Sequence, residues 1–277
     1  MARMARRRMA PGKARASRPG RRLPARKAAP KTKRAQVALI KSVIAREEET
    51  KFRSELIVNS VAYNSQITTS DIIRLLPKLV QGQPNSASSI YEREGMRISP
   101  RALKIDAEVC LTAVDRSRAI QVVYWVLQSK QVKQTALLST NIIPGSDLLK
   151  TGDSSNVQGF NGYVEDVNLP INDARYVVLK KGSFKLGCNT GTIQDNTTAG
   201  NQPLGGQAVS HRLSFKLPVP AKFVYDQDEN TPRTVYYPNG YAPFMLFGYY
   251  HQNQTVPDVS FQDMTISLRS SLWYDDA

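Results

Sequence analysis

From residue 103 onward the chain alternates. Leu103, Ile105, Ala107, Val109, Leu111 and Ala113 are separated one for one by Lys104, Asp106, Glu108, Cys110 and Thr112. A period of two places one apolar face on a strand. Val209, His211, Leu213, Phe215 and Leu217 repeat the pattern against Ser210, Arg212, Ser214 and Lys216. Met264, Ile266, Leu268, Ser270 and Leu272 repeat it against Thr265, Ser267, Arg269 and Ser271. Ala119–Leu127 differs, being an almost unbroken apolar run (Val122, Val123, Tyr124, Trp125, Val126) that suits a strand buried on both faces. Shorter strands are expected at Leu56–Ala62, Tyr176–Leu179, Phe184–Leu186, Val235–Tyr237 and Phe244–Tyr250, and one short helix at Lys130–Ser139. Two polar segments rich in Gly, Ser, Asn and Asp, Thr151–Gly162 and Asn189–Gly206, are too long for hairpin turns. They predict connections that cross a sandwich or decorate its outer surface. The pattern predicts an all-β body over 53–277: a single jelly-roll antiparallel β-sandwich with one or two short helices.

Upstream the periodicity changes. Val37, Ile40, Val43 and Ile44 recur at helical spacing, and Leu39 widens the stripe. Residues 35–52 therefore read as a helical connector, although Glu47, Glu48 and Glu49 sit where a helix C-terminus disfavours acid. Residues 1–34 are Arg, Ala, Pro, Lys and Gly with almost nothing to bury, and are expected to be disordered.

Charge sharpens this division. Of 38 Lys and Arg in the chain, 16 fall in Met1–Arg46, which has no Asp or Glu. The remaining 22 face 23 acidic residues, so the body carries a net −1 and the arm carries the whole excess. A polycationic arm binds polyanions because each cation that neutralises a phosphate releases a condensed counterion. The candidate nucleic-acid-binding residues are Arg3, Arg6, Arg7, Arg8, Lys13, Arg15, Arg18, Arg21, Arg22, Arg26, Lys27, Lys31, Lys33 and Arg34. A solubilising or targeting tail is the competing reading. The segment lacks the apolar stretch of a secretory signal, and Pro11, Pro19, Pro24 and Pro30 interrupt the helix a mitochondrial presequence needs.

Chemistry is sparse. His211 lies on the apolar face of a strand, as a core histidine would, and His251 follows Tyr249 and Tyr250 with no companion in sequence. No phosphate-cradling glycine loop, nucleophile elbow or paired-histidine motif occurs. Cys110 and Cys188 form neither a disulfide framework nor a zinc spacing. Asp226, Asp228 and Glu229 cluster in a loop, which reads as solvated in preference to a Ca²⁺ site. The seven aromatics between Tyr236 and Tyr250 have no Lys or Arg among them, which favours core or subunit contact over base stacking. No enzymatic function, cofactor or metal is expected.

Three stretches carry a family resemblance. Leu39-Ile40-Lys41 followed by Glu49-Thr50-Lys51-Phe52 is one. Leu76-Pro77-Lys78-Leu79-Val80-Gln81-Gly82, then Arg93-Glu94-Gly95-Met96-Arg97-Ile98 and Leu103-Lys104-Ile105, is the second. Arg175-Tyr176-Val177-Val178-Leu179-Lys180 with Phe184-Lys185-Leu186 is the third, with Lys180-Lys181-Gly182 where the family usually has an acid. Together with the basic arm they resemble the capsid proteins of circular Rep-encoding single-stranded DNA viruses, the circovirus-like group. The resemblance implies a jelly roll that tiles an icosahedral shell with identical subunits, and an arm that packages the genome, DNA being favoured over RNA. It also implies residence in the virion and, during infection, in the host nucleus by way of import factors. The alternatives are a coat protein of a small single-stranded RNA virus and a cellular nucleic-acid-binding protein with a basic tail.

Overall fold

The computed structural model describes residues 36–37, 50–82, 92–93, 95–112, 119–152, 156–187, 209–226, 236–251 and 262–276. The chain divides into two units, Met1–Glu47 and Glu48–Ala277. The arm 1–34 lies outside the described residues. So does the connector, except for helical Gln36 and Val37 and for residues 50–52, which already belong to the first strand.

The second unit is built as one long antiparallel hairpin rolled up on itself. Its tip joins β4 (Ile120–Ser129) to β7 (Tyr176–Leu186). Farther back along the two arms, β3 (Arg97–Leu111) pairs with β8 (Ser210–Leu217), and β2 (Ile73–Arg74) with β10 (Pro243–His251). At the open end β1 (Thr50–Tyr63) pairs with β11 (Met264–Asp276). Rolling closes these pairs into two sheets, ordered β1-β11-β3-β8 and β2-β10-β4-β7. Two-residue β9 (Phe223–Val224) adds to the end of β3, and β5 (Leu149–Lys150) pairs with β6 (Val157–Gln158) in the tip. This order is that of a jelly roll.

The period of two determines which side chains meet between the sheets. Leu103, Ile105 and Val109 of β3, Leu213 and Phe215 of β8 and Ile266 and Leu268 of β11 pack against Val122, Tyr124 and Val126 of β4 and Met245 and Phe247 of β10. The predicted apolar run on β4 is buried on both faces. Its alternate residues Val123, Trp125 and Leu127, with Phe244 and Leu246 of β10, enter a second core on the far side of that sheet. The cover is the hairpin tip, residues 130–175, through Val132, Leu138, Ile142, Leu148 and Phe160, and Ile67 completes the contact.

Two buried carboxylates brace this cover. Asp147 accepts the Tyr176 hydroxyl at 2.5 Å and Arg175 Nη1 at 2.7 Å. Asp166 accepts Gln158 Nε2 at 2.9 Å and the Asn161 amide at 2.7 Å. The predicted helix at Lys130–Ser139 is shorter and later than expected. Residues 130–134 are irregular, a 3₁₀ turn spans Thr135–Leu137, and helical turns follow at Leu138–Asn141 and Pro144–Asp147. The apolar residues here are recruited one at a time to the second core, so no long helical stripe is needed.

Two further expectations change. Tyr176–Leu179 and Phe184–Leu186 are a single strand, continuous through Lys180-Lys181-Gly182. Gly182 is required there, because a Cβ would lie 2.5 Å from the Tyr124 hydroxyl. Of the expected strand Val235–Tyr237, the described Tyr236 and Tyr237 are not extended into a sheet. Tyr237 instead packs on the edge of the first core.

Candidate nucleic-acid interface

None of the fourteen arm residues singled out for nucleic-acid binding lies among the described residues, so the site that can be built is on the body. The two sheets have different outer faces. That of β2-β10-β4-β7 is covered by the hairpin tip. The face of β1-β11-β3-β8 turned away from the core carries the polar half of the sequence alternation.

Register arranges that face in rungs. Behind the edge residues Thr50, Asp275 and Ser99, where buried Asp275 is ion-paired with Arg101, Phe52, Trp273 and Ala102 form the first. Ser54, Ser271, Lys104 and Lys216 form the second, and Leu56, Arg269, Asp106 and Ser214 the third. Beyond a bulge in β1 come Ser267, Glu108 and Arg212. At the bulge Ser60 adopts a φ of 49°, and its amide donates to Ser267 Oγ at 3.0 Å. A shallow depression of about 370 Å³ opens between Leu56, Asp106, Glu108, Arg212 and Arg269. Lys104 pairs with Asp106 at 2.8 Å. Burial by itself would raise the Asp106 carboxyl. Hydrogen bonds from Lys104 and Ser214 and the charges of Lys104 and Arg212 outweigh it and hold the group below its ordinary value.

Where β1 begins, a buried charged cluster fixes the strand. Lys51 Nζ lies 2.7 Å from Asp276 Oδ2 and 3.1 Å from the Glu92 carbonyl, with 3% of the side chain exposed. The buried Arg93 guanidinium stacks 4.2 Å from the centre of the Tyr225 ring. Burial lowers the Arg93 pKa, opposed by Tyr225, Asp276 and Tyr274. Burial, aided by Asp276, pushes Tyr274 up to about 12. These residues are far apart in sequence: the β1–β11 pairing brings Lys51 beside Tyr274 and Asp276, while Arg93 and Tyr225 join from outside those strands. Replacing Lys51 by Met removes the ammonium from the Asp276 carboxylate and from the Glu92 carbonyl, and is expected to cost about 3 kcal/mol. By thermal unfolding the melting temperature should drop by roughly 6–12 °C. A drop no larger than that of an exposed lysine substitution would show the pair to be unimportant.

The groups weighed for other chemistry are dispersed. His211 faces the first core from β8, half-buried and stacked 4.1 Å from Phe184, as the sequence suggested. His251 is buried and does have a companion, the Asp263 carboxylate at 3.6 Å. The sequence missed this because eleven residues separate the two and no spacing rule links them. Asp226 is held by the Asn239 side-chain amide and by Gln134 Nε2 at 3.5 Å, while Asp228 and Glu229 lie outside the described residues. Among the described residues no three His, Cys, Asp or Glu side chains converge as metal ligands. Burial, then the charge of Glu108, raises the Cys110 thiol, and Cys188 lies outside the described residues. The aromatic run is mostly core, with Tyr241, Phe244, Phe247 and Tyr249 buried, while Tyr236 reaches the surface.

No protein-family model and no curated protein matches the chain. Among solved structures it is similar to a chain of desmodium yellow mottle tymovirus at 6% identity, over 83% of this chain and 88% of that one, with a TM-score of 0.31. It is also similar to a chain of the T=3 Penaeus vannamei nodavirus, solved by cryo-EM, at 13% identity. That match covers 98% of this chain and 64% of the other, with a TM-score of 0.32. Neither virus is of the circular single-stranded DNA group that the sequence motifs resemble. Likeness this distant carries no argument about function.

Proposed function

We propose that this chain is a viral coat protein: a jelly-roll subunit that assembles with copies of itself into a closed icosahedral shell and packages a single-stranded genome on its Arg-rich arm. One observation carries the reading. All of the net positive charge sits in the first 46 residues, ahead of a near-neutral body of jelly-roll order. A container needs this partition, because its walls must pack against one another while its lumen neutralises phosphate.

The magnitudes are compatible. The smallest icosahedral shell holds roughly 60 copies, and 16 basic residues per arm would bring about a thousand positive charges, enough for about a thousand phosphates. A genome of a few kilobases is then neutralised partly by the arm and partly by small cations. The charge balance suits DNA and RNA equally. The motif resemblance favours DNA, and with it a nuclear stage that Arg6-Arg7-Arg8 and Lys31-Thr32-Lys33-Arg34 would serve through host import factors. On this reading the covered sheet, with the described residues 156–162 in its cover, faces the exterior.

Electron microscopy of the recombinant chain tests the proposal. Closed particles are expected by negative stain, and the nucleic acid recovered from them should be single-stranded and resistant to nuclease until the shell is opened. Sensitivity of the released polymer to DNase or to RNase then assigns its type. A chain that stays monomeric at high concentration with nucleic acid present would be a cellular nucleic-acid-binding protein with a basic tail, and the coat-protein reading would fail.

A further inference from the structure

The first rung of the open sheet face departs from the rest of the body. Every other aromatic ring on a described strand lies in one of the two cores or packs against one. Phe52 and Trp273 do not. Their centroids are 4.9 Å apart, Phe52 is 40% exposed, and Trp273 is half-buried. The strand partner on the far side of Trp273 is Ala102, too small to cover the indole. Two residues along the strands, about 7 Å away, the next rung presents Lys104 and Lys216.

The rest of the face is basic as well. Arg97, Arg101, Lys104, Arg212, Lys216 and Arg269 point outward against Asp106, Glu108 and Asp275, and after Lys104 pairs with Asp106 and Arg101 with Asp275 the face keeps a net positive charge. The body as a whole is near neutral, so this excess is local to the face. An exposed ring and a half-buried one beside a row of cations suit one ligand chemistry. A single-stranded nucleic acid offers unpaired bases to the rings and a phosphate backbone to the cations. A duplex keeps its bases stacked inside and offers only the second.

We propose that Phe52 and Trp273, with Lys104 and Lys216, form a base-stacking site for single-stranded nucleic acid on the open face of the β1-β11-β3-β8 sheet. The site is additional to the arm, and it rests on the reading of the chain as a genome-binding coat protein. The arm supplies sequence-blind phosphate attraction, and the rung discriminates single strands from duplexes and from other polyanions.

Tryptophan fluorescence reads the site directly. The chain has two tryptophans, and Trp125 is fully buried, so it supplies a constant background. The full-length protein at low concentration and about 0.3 M salt, where arm contacts are screened, is titrated with a thymidine oligonucleotide of about 20 nucleotides. A matched titration uses inorganic polyphosphate of equal charge, with binding followed independently by anisotropy of a labelled competitor. The oligonucleotide should quench Trp273, and polyphosphate should bind without quenching. Trp273→Phe should abolish the quench while retaining the fold, and Phe52→Leu, which keeps an apolar contact, should weaken oligonucleotide binding roughly tenfold with no effect on polyphosphate. Equal quenching by both polymers, quenching that survives Trp273→Phe, or binding with no quench overturns the stacking site alone. Failure of the oligonucleotide to bind even at low salt overturns the genome-binding reading itself.

Discussion

Removal of residues 1–34 is expected to lower the affinity for a single-stranded oligonucleotide at least a thousandfold near 0.1 M salt, and to flatten its salt dependence. Fourteen Lys and Arg leave with the segment. For single strands log K falls with log salt at a slope of about −0.7 per phosphate neutralised, so an arm engaging about eight phosphates at once gives a slope near −6. Without the arm only the body remains, with its net charge near zero, and the slope should fall to about −2 or less. Reversal of Arg6, Arg7 and Arg8 to Glu should give an intermediate slope. Fluorescence anisotropy between about 50 and 200 mM salt measures both quantities, with circular dichroism as the check on folding. The melting temperature of the body should be unchanged, since no described contact of the sandwich comes from 1–34. A slope that survives the deletion would move genome binding off the arm. Loss of stability comparable to a core mutation would end the division into arm and body.

Trp125→Ala should be the most damaging single substitution in the described body, at about 4 kcal/mol. Trp125 is fully buried at the middle of the second core, edge-on to Phe160 at 5.3 Å between ring centres. Truncation opens a cavity between β4 and the hairpin tip, and the tip cannot collapse into it. Its Gly159 already sits against the Gly145 backbone, with no room even for a Cβ, and Gly248 leaves only 2.6 Å between a Cβ position and the Phe160 ring. The indole N–H has no hydrogen-bond partner, so Trp125→Phe removes an unsatisfied donor along with some volume. It is expected to cost less than half as much as the alanine variant. Chemical denaturation of the two variants separates these terms. Equal losses would mean that the ring's volume is not what holds the cover down.

Trp125 also shows how far the sequence could be read. Its place in an unbroken apolar run marks a strand covered on both sides, and β4 is that strand. Nothing in the run says what does the covering. The cover is assembled from Leu138, Ile142, Leu148 and Phe160, which have no common period, and it is braced by Asp147 and Asp166, which belong to no motif. The same holds at the open face. Phe52 belongs to a motif, Trp273 lies near the chain end, and Lys104 and Lys216 are unremarkable polar positions of two alternating strands. Pairing of β11 with both β1 and β3, and of β3 with β8, brings them side by side. His251 and Asp263 meet in the same way, at a sequence separation that matches no spacing rule.

Local sequence determined the strands, the faces they bury and the separation of charge, because alternation and counterion release act over a few neighbouring residues and require no knowledge of partners. The tertiary structure alone decided the strand order, the sheet face that is covered and the residues that share a rung. Those follow from how a long hairpin closes on itself, where residues more than two hundred positions apart become neighbours.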